Sequence, residues 1–313
     1  MVGNKQCGIT EKKDFKKGIT VRRTKNAFTI VELLTSIVII AILVSLLIPS
    51  IAMVRRSAKE TAQKAQFTSI DMGLTAFKND YGDYPPSDWM PPPPLVRYCG
   101  AQKLAEAMFG WDLLGFHPQS AWRADGLDAG GNANTVYFST NTLNERKGRY
   151  LELATANVFR LGTWGGLPGL FSNCDPLNPQ TFVICDVFTV RRMTDSSGKT
   201  VRAGTPILYY RANTASNNIT ALNLADRIYD YRNNYPLVEV LGSLTVDGRR
   251  GADHPLKTNV GGEYVVFYGS QYGIKDPKIM PPQPAWPHRP DSYILISAGM
   301  DGLYGTADDI RNF

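Results

Sequence analysis

Residues 28–48 read FTIVELLTSIVIIAILVSLLI, with Glu32 as the sole charge and neither Gly nor Pro before Pro49. As a helix rising 1.5 Å per residue this stretch is roughly 31 Å long, enough to cross a hydrocarbon core. Fifteen of its residues are Leu, Ile, Val or Phe. At roughly −0.3 to −0.6 kcal/mol each they outweigh one carboxylate, which costs at most roughly 3 kcal/mol and less near the membrane edge. Membrane insertion is therefore expected. A secretory signal peptide would have a shorter apolar core with a small-residue cleavage site after it, and this run is too long for one.

Charge sets the direction of that helix. Lys5, Lys12, Lys13, Lys16, Lys17, Arg22, Arg23 and Lys25 precede Phe28 and face only Glu11 and Asp14. Such an excess keeps the N-terminal side cytoplasmic and sends the chain beyond Pro49 across the membrane. The formal charge of the 313-residue chain is +6, so the part after the leader is close to neutral. The basic character is an orientation signal, and no nucleic-acid partner is expected. The length allows one large domain or two small ones with a real core.

Two residues of the helix call for more than an anchor. An isolated carboxylate such as Glu32 is costly in lipid unless it finds a partner. It either snorkels to the headgroups or pairs with a free amine on a neighbouring chain. Pro49 removes a backbone donor and crowds the preceding turn. Helical periodicity resumes immediately after it, so a kink is expected there rather than an end.

Beyond the apolar run, Phe67, Ile70, Leu74, Phe77 and Tyr81 recur three and four residues apart and form one stripe of an amphipathic helix. A downstream antiparallel sheet is expected to cover it. The helix should stop at Tyr81-Gly82-Asp83-Tyr84-Pro85-Pro86, ahead of a polyproline strut at Pro91-Pro92-Pro93-Pro94. Residues 102–109 read as helix. Residues 181–190, 207–211, 264–268 and 293–297 are rich in β-branched and aromatic types and read as strands. Gly, Asn and Asp clusters at 125–134 and 196–198 read as turns, and 281–290 as a second proline-rich connection. Of Cys7, Cys99, Cys174 and Cys185, the last two flank a short Asp/Pro/Asn segment. They are either a small disulfide loop or buried thiols.

Lys25-Asn26-Ala27-Phe28-Thr29-Ile30-Val31-Glu32 followed by the apolar run resembles the processing site of type IV prepilins and type II secretion pseudopilins. The resemblance implies cleavage between Ala27 and Phe28 by a prepilin peptidase, methylation of the new N-terminus, and pairing of Glu32 with an adjacent subunit's amine during assembly. Ala27 stands where the family usually has Gly and is likewise small. Pro49 matches the family's helix kink. The Gly-to-Tyr-Pro ending of the long helix also resembles the pseudopilin pattern.

Near the end, Ser297-Ala298-Gly299-Met300-Asp301-Gly302 and Gly305-Thr306-Ala307-Asp308-Asp309-Ile310 follow a predicted strand. By composition this is either a solvated Asp/Gly turn or a set of hard oxygen ligands for calcium. The segment closely resembles the calcium loop of the type II secretion major pseudopilin. That resemblance makes Asp301, Asp308 and Asp309 the side-chain ligands of a Ca2+ ion, with the Ala298 carbonyl a weaker candidate. No cysteine follows Cys185, so the disulfide that closes this region in many type IV pilins has no counterpart here.

The expected fold class is α+β and pilin-like, a long N-terminal helix on an antiparallel sheet with large insertions. Its segments are a leader (1–27), a transmembrane and filament-core helix (28–51), an amphipathic continuation (52–82) and an exported domain (83–313). His117, His254 and His288 lie in no HExxH pattern, and neither a GxSxG elbow nor a Walker loop is present. A structural rather than enzymatic role is expected. The implied function is that of a subunit of the type II secretion pseudopilus in the inner membrane and periplasm, with prepilin peptidase, copies of itself and minor pseudopilins as partners. The alternatives are a type IV pilus subunit, or a ligand-binding or enzymatic domain on a pilin-like anchor.

Overall fold

The computed structural model describes residues 29–89, 97–133, 136–189, 191–194, 198, 200–219, 221–243, 245–246, 249–250, 254–269, 271–279 and 286–313. The cleavage pair Ala27 and Phe28, the strut at 91–94 and the first half of the connection at 281–290 lie outside these residues. The chain divides after Ala52 into two compact units. Both draw on one helix, α1 (Ile30–Tyr81), which continues through Pro49.

In the first unit α1 leaves its large apolar side chains uncovered, from Ile30 at 83% exposure through Leu47 at 52%. Its hydroxyls turn inward. Thr35 donates to the Val31 carbonyl at 3.0 Å, Ser36 to that of Glu32 at 2.7 Å, Ser45 to Ile42 at 2.8 Å and Ser50 to Leu47 at 2.9 Å. Each donor is satisfied within the helix, the condition an apolar medium imposes. The first half of α1 is long and apolar enough to cross a membrane.

The second unit is α+β. Its helices are α2 (Gly100–Phe109), α3 (Tyr235–Ser243) and α4 (Val265–Gly269). Its first strands are β1 (Val158–Arg160), β2 (Phe182–Ile184), β3 (Arg191–Thr194), β4 (Thr200–Ala203) and β5 (Leu208–Arg211). Two-residue strands β6 (Thr245–Val246), β7 (Arg249–Arg250), β8 (Asn259–Val260) and β9 (Glu263–Tyr264) follow, then β10 (Tyr293–Ser297) and β11 (Ile310–Arg311). The central sheet has the order β11-β10-β5 and is antiparallel, with Tyr293 opposite Arg211 and Ser297 opposite Ile310.

This sheet is buried on both faces. Ile207, Tyr209, Tyr293 and Leu295 pack with the α1 stripe Phe67, Ile70, Leu74 and Phe77 and with α2. Leu208, Tyr210, Ile294 and Ile296 point the other way, into a core with Tyr231, Leu237, Leu241, Leu256 and Phe267 from the segment between β5 and β10. Strict alternation along β5 and β10 separates the two sets. The stripe is therefore covered by the sheet and by α2 together, and the large insertion closes the sheet's far side.

Polar stitches fix α1 in this unit. Gln66 Nε2 donates to the carbonyls of Ala156 at 3.1 Å and Cys185 at 2.9 Å, and Gln63 Oε1 accepts the Val187 N–H at 3.0 Å. Asp71 accepts the Tyr293 hydroxyl at 2.7 Å. Residues 111–150 close over the same helix, placing the rings of Phe116, Tyr150 and Trp122 at 5.0, 5.7 and 6.2 Å from Phe77.

α2 is buried along its whole length. Its polar residues each find partners: Gln102 Oε1 accepts the Cys99 N–H at 2.9 Å while its Nε2 donates to Thr181 at 2.6 Å. Glu106 accepts the hydroxyls of Tyr98 at 2.7 Å, Tyr137 at 2.8 Å and Ser120. At the start of α2, a Cβ on Gly100 would sit 2.2 Å from the Tyr209 carbonyl oxygen, so no larger residue fits between helix and β5.

Two strand expectations need correction. Residues 265–269 form α4 rather than a strand, because Phe267 and Tyr268 are adjacent and both buried; a one-sided strand would point them apart. Within 181–190 only β2 is a strand. The buried Asp186 carboxylate accepts the N–H groups of Phe188 at 3.2 Å and Thr205 at 3.0 Å, turning the chain out of the ladder. Of the two readings of Cys174 and Cys185, the structure has the thiols: neither is in a disulfide and both are buried.

Candidate functional site

The connection from β10 to β11 carries the acidic residues. Gly299 adopts φ 66°, and a Cβ there would lie 2.2 Å from the Asp308 carbonyl oxygen, so the loop crosses itself where only glycine fits. Above that crossing Asp308 Oδ2 accepts the N–H groups of Met300 at 2.8 Å and Asp301 at 2.9 Å, and its Oδ1 accepts the Thr306 hydroxyl at 2.6 Å. Asp301 Oδ1 accepts the Leu303 N–H at 2.8 Å, and Asp309 Oδ2 accepts that of Gly305 at 2.8 Å.

The three carboxyls differ electrostatically. Burial and the neighbouring Asp308 carboxylate push Asp301 above the ordinary range. Burial opposes ionisation of Asp308 too, but the Thr306 hydroxyl and the backbone N–H donors outweigh it and hold the group low. Such opposite displacements are those of two neighbouring carboxyls that act on each other. Burial raises Asp309 to about 7, and its Oδ1 is buried with no hydrogen-bond partner.

These features fit a hard cation in donor type. All the side-chain donors are oxygen, one is orphaned, and two carboxyls meet at close quarters. The described residues nevertheless contain no group of three His, Cys, Asp or Glu side chains gathered as a metal cluster. The three aspartates share one loop without converging on one point.

The loop is tied down by residues that lie far away in sequence. Tyr304 donates its N–H to His254 Nδ1 at 3.1 Å, accepts the Leu256 N–H at 3.0 Å on its carbonyl, and gives its hydroxyl to the Pro206 carbonyl. Ser297 donates to Asp186 at 3.0 Å. His254 is thus a fixed acceptor. Nothing in its local sequence signals this role, because its partner lies 50 residues on.

No family model, curated protein or solved structure matches this chain. The remaining expected site residues are placed as follows. Pro49 lies inside α1. Glu32 lies in its first turn, where its Oε2 accepts both the N–H and the hydroxyl of Thr29, at 3.2 and 2.9 Å. In return Thr29 Oγ1 accepts the Glu32 N–H at 3.2 Å. This is a reciprocal capping box, and the spacing Thr-x-x-Glu carries its signal in the sequence. A reading of Glu32 by charge alone passes over it.

His117 and His288 serve the domain's packing. His117 is fully buried, accepts the Gln119 N–H at 3.1 Å and lies 3.4 Å from Glu145. His288 stacks on Phe313 at 4.6 Å.

Proposed function

We propose that the chain is a membrane-anchored structural subunit of the pseudopilin type, processed before Phe28 and assembling through its N-terminal helix into a type II secretion pseudopilus. The observation that carries this reading is the division of labour along α1. From Ile30 to Val54 its apolar side chains are bare, whereas from Gln63 to Phe77 it buries a stripe in its own domain. Large apolar surface left open on all sides of a helix requires lipid or other copies of the helix around it. A helix that is bare at one end and docked at the other suits a subunit that moves from bilayer to filament core.

Three further points support the assignment: the sequence around Ala27-Phe28, the carboxylate at Glu32 and the acidic loop. In this reading the leader stays cytoplasmic, the second unit is periplasmic, and the partners are prepilin peptidase, like subunits and minor pseudopilins. Calcium would take Asp301, Asp308 and Asp309 as carboxylates, and its charge would offset their crowding and burial.

Mass spectrometry of the mature N-terminus tests the proposal in cells that contain the peptidase. The expected product begins at Phe28 with a methylated amine. An intact leader would sink the reading.

A further inference from the structure

Residues 111–150 cover the end of the α1 stripe, and His117 is built into that contact. Its neighbour Phe116 lies, ring to ring, 5.0 Å from Phe77 and 5.1 Å from Tyr81. The Phe116 carbonyl accepts the Lys147 N–H at 3.0 Å, and the His117 carbonyl accepts that of Ser120 at 3.0 Å. The imidazole itself is fully buried. Its Nδ1 accepts the Gln119 N–H at 3.1 Å. Nε2 therefore carries the proton of the neutral ring, 3.4 Å from Glu145 Oε2. A second proton has only Nδ1 to occupy, where it would point at the Gln119 N–H. Donor would face donor, and a cation would be enclosed away from water.

The surrounding charges do not reverse this. Glu145 favours the imidazolium, but its side chain is 60% exposed. Arg146, paired with Asp112 at 2.6 Å, opposes it. Tyr137 accepts the His117 N–H at 3.4 Å and donates its hydroxyl to Glu106 at 2.8 Å. Burial thus prevails and holds the ring below the ordinary histidine range. We propose that His117 makes residues 111–150 an acid-released cover on α1: protonation breaks the Gln119 bond and frees Phe116 and Trp122 from Phe77. The device lies wholly in the second unit and does not depend on the anchor reading.

The sign of the pH dependence singles out this group. Because the folded ring binds its proton more weakly than the unfolded one, its contribution is full above about pH 6.5 and is lost as pH falls. Glu106 and Asp309 run the other way, since burial raises both and acid strengthens their contribution. Burial of Asp125 is outweighed by Arg123, which holds it low, so it titrates below this window. His288 is also lowered by burial, but it stacks on Phe313 and not on the cover.

Hydrogen–deuterium exchange of the full chain in a nonionic detergent tests the proposal, with rates corrected for the intrinsic pH dependence of amide exchange. Between pH 7.5 and 5.5, protection of peptides from 111–150 should fall about tenfold, as release of one ordinary histidine requires. Peptides from β5 and β10 should keep theirs. His117→Asn retains an acceptor near the position of Nδ1 and cannot titrate, so its protection should be the same at both pH values. Equal wild-type protection at the two pH values would overturn the inference without recourse to any variant. So would a loss shared equally by β5 and β10, a wild-type loss that begins only below pH 5, or an acid loss that persists in His117→Asn.

Discussion

Thr29 and Glu32 hold each other. The carboxylate takes the threonine N–H and hydroxyl, and the threonine oxygen takes the glutamate N–H. Two of the unpaired donors at the start of α1 are satisfied by this exchange. A glutamate otherwise costly in an apolar segment is thereby given a local partner, and assembly with a neighbour's amine would have to draw on the same oxygens.

Substitution by glutamine separates these roles. Glu32→Gln preserves a capping-box acceptor but removes the charge. Membrane insertion should be unchanged, and cross-linked oligomers recovered from cells should fall at least tenfold. Wild-type levels of oligomer in the variant would show that capping alone explains Glu32.

The acidic loop should respond to both calcium and pH. Asp309 rises from an ordinary 3.8 to about 7 through burial. Because the folded form holds the proton more tightly, this group's contribution is full below about pH 4 and is lost as pH rises to about 7. The span corresponds to at most roughly 4 kcal/mol. In chelator, denaturant midpoints should therefore decline from pH 4.5 to 7.5, and Asp309→Asn should flatten the decline. At pH 7.5, calcium should raise the midpoint of the wild type but not that of Asp308→Ala.

Glu106 offers a contrast, because its three hydroxyl donors make it a buried structural acceptor. Burial raises its carboxyl above the ordinary range. Glu106→Gln keeps an oxygen for the tyrosine hydroxyls and sheds the desolvated charge, so stability at pH 7 should change by less than about 1 kcal/mol. Glu106→Ala strands Tyr98, Tyr137 and Ser120 and should cost roughly 2 to 5 kcal/mol. Urea unfolding followed by tryptophan fluorescence measures both.

Phe77 sits where α1 meets the segment 111–150. Its ring touches three aromatic rings from that segment, so Phe77→Ala should cost roughly 3 to 5 kcal/mol. The same assay should show the loss, and limited proteolysis should find residues 111–150 cut first.

The legible parts of this fold were those written in short-range periods. Phe67, Ile70, Leu74 and Phe77 repeat at helical spacing and are buried accordingly. The end of α1 at Tyr81-Gly82 and the strands at 208–211 and 293–297 carry equally local signals. The runs Leu208-Tyr209-Tyr210 and Tyr293-Ile294-Leu295-Ile296 are apolar without alternation, the mark of a sheet covered on both faces. What covers the second face depends on Tyr231, Leu237 and Phe267, whose contacts with the sheet no local pattern encodes. At the acidic loop the aspartates were evident from composition. The clasp of the loop by His254 through Tyr304 and by Asp186 through Ser297 was not, because those partners are distant in sequence.

The bond from Tyr293 to Asp71 joins residues 222 positions apart, and that from Asn312 spans 241. At 5 to 20 residues per second, a ribosome needs roughly 10 to 50 s to travel that distance. During this interval the stripe from Phe67 to Phe77 has no sheet to lie on, although the apolar run before it has long since left the exit tunnel. The order of synthesis thus opposes the order of packing. Until the chain's last strands are made, the stripe has only α2 and the segment 111–150 to pack against, and the sheet closes over it last.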